Sequence, residues 1–232
     1  MRTYLLGFLT LATAGAAQAQ LSTGTVLLGG SLGYQQQTSE VEATTYVPKY
    51  EEQWRKFNIS PTAGYFVAEN LVVVGIRADW QQETRKYPVV IPELITPGPG
   101  PATATVLYGE YSSRRLQVGP FARYYKFFGE KAAFYGQGGV GYSSTKTTQQ
   151  QPASFSDSEF KSSGFYGQLS PGFVYFPTRL FALEIGLRGL SYQRSTYGTD
   201  DYNGEKPTAS VFDAGFRLRD LRLGASFYLG RQ

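Results

Sequence analysis

From residue 21 onward the chain alternates apolar residues with small or polar ones over about eight stretches. Long polar segments and very short ones separate the stretches in turn. Side chains of an extended strand point to opposite faces with period 2, so each stretch describes a two-faced strand. The expected strands are Gly24–Gln36, Gln53–Val67, Leu71–Thr84, Thr105–Tyr125, Lys131–Thr145, Glu159–Phe176, Leu180–Arg194 and Ser210–Leu229. Long loops at one end and tight turns at the other are the rhythm of a barrel crossing a bacterial outer membrane. The expected fold is therefore all-β: a transmembrane eight-stranded antiparallel up-and-down β-barrel.

On the first strand Val26, Leu28, Leu32 and Tyr34 share a face opposite Thr25, Gly29, Ser31 and Gly33. On the third, Val72, Val74, Ile76, Ala78 and Trp80 oppose Gly75, Arg77, Asp79 and Gln81, and on the seventh Phe181, Leu183, Ile185 and Leu187 oppose Glu184, Gly186 and Arg188. A soluble lipocalin-like barrel would turn an apolar face inward and a Lys- and Glu-rich face to water. Here the polar face is mostly Gly, Ser, Thr, Asn and Gln, which suits the crowded interior of eight strands, and the apolar face is assigned to lipid. The polar face also carries Arg77, Asp79, Arg115, Arg123, Glu184, Arg188, Asp213 and Arg217. Parity sends these charges to the lumen, where they are expected to pair and plug it, with an ion relay as the functional alternative.

Pro61, Pro120 and Pro171 are each followed four residues later by a tyrosine, Tyr65, Tyr124 and Tyr175, and then by a second aromatic. With Trp80, these tyrosines are the expected aromatic girdle. Proline cannot donate to a ladder, so a bulge or kink is expected at each one. In the last strand Phe212, Ala214, Phe216 and Leu218 are even, whereas Leu221, Leu223, Ala225, Phe227 and Leu229 are odd. One inserted residue near Arg219-Asp220 would reconcile the two halves.

Residues 1–19 begin Met1-Arg2, continue through a short apolar stretch and end in Ala17-Gln18-Ala19, the pattern of a secretory signal peptide cleaved before Gln20. The mature barrel domain is then 20–232, with 21 of the 22 basic residues against 18 acidic ones, a net charge of +3. Both signs are dispersed along the chain, which argues against nucleic-acid binding. No later segment approaches the ~20 apolar residues of a membrane helix. With no cysteine, the fold cannot rest on disulfides.

ISPTAGYFVAENLVVVG (59–75), VGPFARYY (118–125) and SPGFVYFPTRLFALEIGL (170–187) resemble segments of the small outer-membrane β-barrel family common in Bacteroidetes. That family is similar in architecture to OmpA/OmpX-type barrels. The resemblance implies an outer-membrane location in a Gram-negative bacterium, porin-like relatives, and the barrel-assembly machinery as a partner during insertion. It brings no catalytic residue with it. The peptidoglycan-binding domain that follows some such barrels is not expected after the last strand, and Leu229-Gly230-Arg231-Gln232 replaces the usual terminal aromatic.

The chain has no histidine. Ser-His and Asp-His mechanisms, and the usual ligands for zinc and transition metals, are thereby removed. Gly136-Gln137-Gly138-Gly139-Val140-Gly141 matches G-x-G-x-x-G in letters, but strand-like residues follow where a dinucleotide site needs a helix. Asp200, Asp201, Asn203 and Glu205 miss the full spacing of a calcium loop, and the sequon at Asn58 falls on a strand. No cofactor or metal is expected. The expected function is a non-enzymatic barrel with a structural or surface-loop role, held among outer-membrane lipid and lipopolysaccharide. A narrow porin-like channel is the alternative and a surface adhesin a further one. No ligand can be named from the loops Gln37–Glu52, Arg85–Ala104, Thr145–Ser158 and Ser195–Thr208.

Overall fold

The computed structural model describes residues 21–43, 49–69, 71–92, 104–150, 158–198, 206–216 and 220–230 of the 232-residue chain. The expected signal peptide, the acidic group at 200–205 and Arg217 lie outside them. The strands are β1 (Val26–Val41), β2 (Tyr50–Ala68), β3 (Leu71–Pro92), β4 (Ala104–Phe127), β5 (Ala132–Gln150), β6 (Ser158–Tyr175), β7 (Phe181–Gly186), β8 (Leu190–Tyr197), β9 (Thr208–Ala214) and β10 (Arg222–Leu229). All pairings are antiparallel. β1 through β7 pair in sequence, β7 pairs with β10, and β10 returns to β1, so the wall closes on itself in its turn-side half.

The expected seventh and eighth strands are each broken at mid-wall. β7 and β10 occupy the end with the tight turns, while β8 and β9 continue toward the long-loop end. Along β6, Leu169 faces Leu190 but Gly172 faces Gly186, so three steps on β6 correspond to four on its neighbour. The extra residue shifts the lumen-facing set from Glu184 and Gly186 to Ser191, Gln193 and Ser195. A single seventh strand running unbroken to Arg194 is thus corrected. Gly189 sits at the break, where a β-carbon would press on the Leu169 carbonyl oxygen and force the backbone to shift. The eighth strand changes phase as its sequence requires, between Ala214 and Arg222.

The proline expectation holds at Pro171, opposite the break between β7 and β8, and at Pro120, beside which the β3–β4 register shifts. At Pro61 it is corrected: Gly30 faces Pro61 in unbroken register, and the β2–β3 ladder only skips positions there. One missing N–H removes a rung without adding a residue, so the register there has no cause to slip. Beside Pro120 the extra residue lies on β3, between Val72 and Ile76. It sends Val72 inside, fully buried, although sequence parity groups it with the outward Ile76.

The outer surface is apolar. Leu28, Ile76, Val140, Leu183 and Leu223 are all exposed, whereas Arg77, Asp79, Arg123 and Glu184 are buried. Toward the long-loop end, the outward positions close on Tyr34, Phe57, Trp80, Leu116, Tyr142, Phe165, Tyr192 and Phe212. Tyr34 and Phe57, Trp80 and Leu116, Tyr142 and Phe165, and Tyr192 and Phe212 are ladder partners, and the Phe57 and Trp80 rings pack edge-on at 6.0 Å. The next outward positions are Gln36, Arg55, Gln82, Arg114, Ser144, Ser163, Arg194 and Ser210. An abrupt change from apolar to polar behind aromatics is the pattern of a membrane–water boundary. The strands run past this ring, so the outer loops are shorter than expected: β1 reaches Val41, β3 Pro92 and β5 Gln150.

Candidate functional site in the lumen

Three layers fill the barrel, starting from the turn end. The lowest is apolar: Phe66, Val72, Tyr125, Phe176 and Tyr228 are buried together, with Leu21 and Leu27. The Pro-Tyr-aromatic repeat builds this layer. Its first aromatic points outward (Tyr65 44%, Tyr124 56%, Tyr175 42% exposed) and its second points in (Phe66 0%, Tyr125 1%, Phe176 2%). A lumen of small polar residues alone is therefore corrected at this end. Adjacent strand residues face opposite ways, so one dyad serves two surfaces. Phe227 and Tyr228 repeat the division on β10.

Above it lies a bonded charge cluster. Arg123 Nη1 donates to both carboxylate oxygens of Glu184 at 3.0 Å, while Nε and Nη2 donate to Gln137 Oε1 at 2.9 and 2.7 Å. Ser226 Oγ and Tyr228 Oη donate to Glu184 Oε1 at 2.6 and 3.2 Å. Arg123 Nη1 also donates to Tyr125 Oη at 2.9 Å, and the two tyrosine hydroxyls are 2.9 Å apart. Since Tyr228 gives its proton to Glu184, Tyr125 donates to Tyr228, and the chain runs from Arg123 through Tyr125 and Tyr228 to the accepting carboxylate of Glu184. Arg123 also lies 4.4 Å over the Tyr135 ring. A second cluster centres on Asp79, which accepts from Ser60 Oγ at 2.5 Å, Arg222 Nη1 at 2.8 Å and Arg77 Nη2 at 3.4 Å. The space left among these residues is ≈ 40 Å³, room for a few waters.

The third layer is open. Chambers of ≈ 710 and ≈ 450 Å³ lie toward the long loops. Arg188, at the break between β7 and β8, lines both, together with the small void beneath them.

Of the expected lumen charges, Arg77, Asp79, Arg123 and Glu184 come together in the two bonded clusters. Arg115, Arg188 and Asp213 line the outer chambers instead. Arg115 and Arg188 form no ion pair among the described residues, so pairing throughout the set is corrected; Asp213 is engaged by another partner. Sequence reasoning missed Arg222, Ser226 and Tyr228, although the even positions of β10 oppose its odd apolar ones. It also missed Lys56, two residues before the inward-facing Asn58. The sequon Asn58 is buried in the wall, and Gly136–Gly141 lies within β5.

A closed antiparallel wall, apolar outside and charged within, defines an outer-membrane β-barrel. The chain belongs to the outer membrane protein beta-barrel domain family, whose sequence model matches residues 5–219. Its location is accordingly the Gram-negative outer membrane. No curated protein matches it. Similar solved structures include Ail, the attachment invasion locus protein of Yersinia pestis, in complex with the heparin analogue sucrose octasulfate; it is 14% identical, with 89% of this chain and 99% of that one covered and a TM-score of 0.37. Neisserial surface protein A is 15% identical over 88% and 97% of the two chains, with a TM-score of 0.38. The outer membrane protein OprG from Pseudomonas aeruginosa is 15% identical over 90% and 96%, with a TM-score of 0.40.

Proposed function

We propose that the protein is a non-enzymatic integral barrel, closed to through-flow, that contributes to the envelope and presents its outer loops to the surroundings. The observation that carries this reading is the Arg123–Glu184 cluster across the lumen, seated on the aromatic layer of Phe66, Tyr125 and Tyr228. Its hydrogen bonds and packing support closure, because the space left beside them is only ≈ 40 Å³. In this reading, residues 1–19 are removed as a signal peptide on export. The partners are outer-membrane lipid and lipopolysaccharide on the apolar exterior and the assembly machinery during insertion. Planar-bilayer recording on refolded protein tests the closure. Silence at all voltages is expected, and steady unitary currents would replace the reading with the narrow channel. Surface recognition gains support from strands that continue past the aromatic ring, because they carry the loops clear of the lipid.

A further inference from the structure

We propose that Lys56, Arg115 and Arg188 form a binding site for a phosphate-class oxoanion at the floor of the outer chambers. The proposal goes beyond the closed-barrel reading and concerns the space above the plug.

Arg85, on the larger chamber, pairs with Glu52, and Arg222, on the void beneath, pairs with Asp79. Asp213 and Asp220 are each engaged, and Glu83, outside the chamber lining, accepts from Trp54 Nε1 at 2.8 Å. Lys56, Arg115 and Arg188 remain, each half-buried and without an ion pair among the described residues. They lie within reach of one another: Lys56 feels Arg188 and Arg115 as well as Glu83 and Asp220, and Arg188 feels Arg222 and Arg115 as well as Asp220 and Asp79. Arg115 Nε is buried without any hydrogen-bond partner. Cations gathered in a partly desolvated cavity repel unless an anion enters, and an orphaned guanidinium N–H needs an acceptor. A tetrahedral oxoanion supplies several acceptor oxygens and suits the planar fork of arginine.

The wall beside the site is open. β9 pairs only with β8, and β1 beyond Leu32 pairs only with β2, among the described residues. The larger chamber is lined by both faces of β1, the inward Gln35 and Gln37 and the outward Tyr34 and Gln36, as a gap in the wall requires. The aromatic ring stops on either side of this slot, at Phe212 and Tyr34. An oxoanion therefore has two routes to the three cations: from solution through the mouth, or as a lipid headgroup through the slot.

Titration calorimetry with inorganic phosphate on the folded protein in zwitterionic detergent tests the site. Wild type is expected to bind, and R115Q/R188Q is expected to bind about tenfold more weakly or less, as loss of charge-assisted contacts implies. Heat-modifiable gel migration verifies folding of each variant, and K56Q repeats the test should the double variant misfold. In a second arm, phosphatidylglycerol is compared with phosphatidylcholine in nanodiscs. Competition by phosphatidylglycerol identifies the headgroup as the source, and phosphate binding without competition identifies a solute. Absence of phosphate binding by folded wild type, or equal binding by wild type and variants, overturns the proposal.

Discussion

Arg123 and Glu184 lie 61 positions apart in the chain and meet across the lumen, both carboxylate oxygens 3.0 Å from one guanidinium nitrogen. The contact ties β4 to β7, strands that share no ladder. Glu184→Ala leaves Arg123 buried without its counter-charge, at a cost of about 3–5 kcal/mol. Urea unfolding in lipid vesicles checks this. The paired replacement R123M/E184L is expected to recover most of the loss, because an apolar pair removes both charges together.

Tyr124 and Tyr125 are neighbours with opposite surroundings, exposed on the outer face and buried in the donor chain. Tyr125→Phe leaves one N–H of Arg123 without its acceptor and the Tyr228 oxygen without its donor, while Tyr228 still donates to Glu184, so a loss of about 1–3 kcal/mol is expected. Tyr124→Phe is expected to change stability by no more than about 0.5 kcal/mol. Equal effects in the same unfolding assay would contradict the assigned faces.

Ile76 is 64% exposed on the outer face, five residues beyond the start of β3. Ile76→Arg is expected to cost about 2–4 kcal/mol in a bilayer, the penalty for a charge on the lipid face near mid-depth. The same change in a detergent micelle is expected to cost less, since water reaches the side chain there. A spin label at Leu183 is expected to contact lipid, and one at Glu184 is not.

Outside the membrane, Glu159 lies 2.7 Å from Lys146 Nζ and 3.2 Å from Lys161 Nζ, and Glu40 lies 2.7 Å from Lys49 Nζ. Hydrogen bonds from Lys146 and Lys161 hold the Glu159 carboxyl below its ordinary value of 4.5, and Lys49 does the same for Glu40. A carboxyl lowered in the folded state binds fewer protons there than in the unfolded state. Its stabilisation is thus in place above the ordinary value and fades as pH falls through the lowered one. Protection factors of the outer ends of β1, β2, β5 and β6 are expected to drop between about pH 6 and pH 3. Lys49→Gln is expected to remove the change around Glu40 alone.

The orientation of the wall was legible in the sequence because period 2 is a local property: Leu183 and Glu184 declare their faces without any knowledge of their partners. The inward set Arg77, Asp79, Arg123 and Glu184 followed from the same parity. Gly189 did not, because an extra residue shows only when the phases before and after it are compared, and Leu187 and Leu190 are both apolar. In β10 the phases differ openly, and the shift before Arg222 could be read. The second aromatic of each repeat was hidden for another reason. Phe66 and Phe176 look like lipid-facing residues by composition, and only their place beside outward tyrosines turns them inside. Which lumen charges find partners depends on heights along different strands, and that information is not local. Arg222 reaches Asp79 across the interior, whereas Arg115, of the same expected set as Asp79, does not.

The length of β4 beyond the aromatic ring has a consequence for reach. Leu116 marks the ring, and the strand continues outward to Ala104. At ~3.3 Å per residue and a tilt of ~40°, those twelve steps raise the hairpin about 30 Å above the acyl chains. The outer ends of β3 and β4 therefore stand well clear of the bilayer, beyond the reach of groups confined to it.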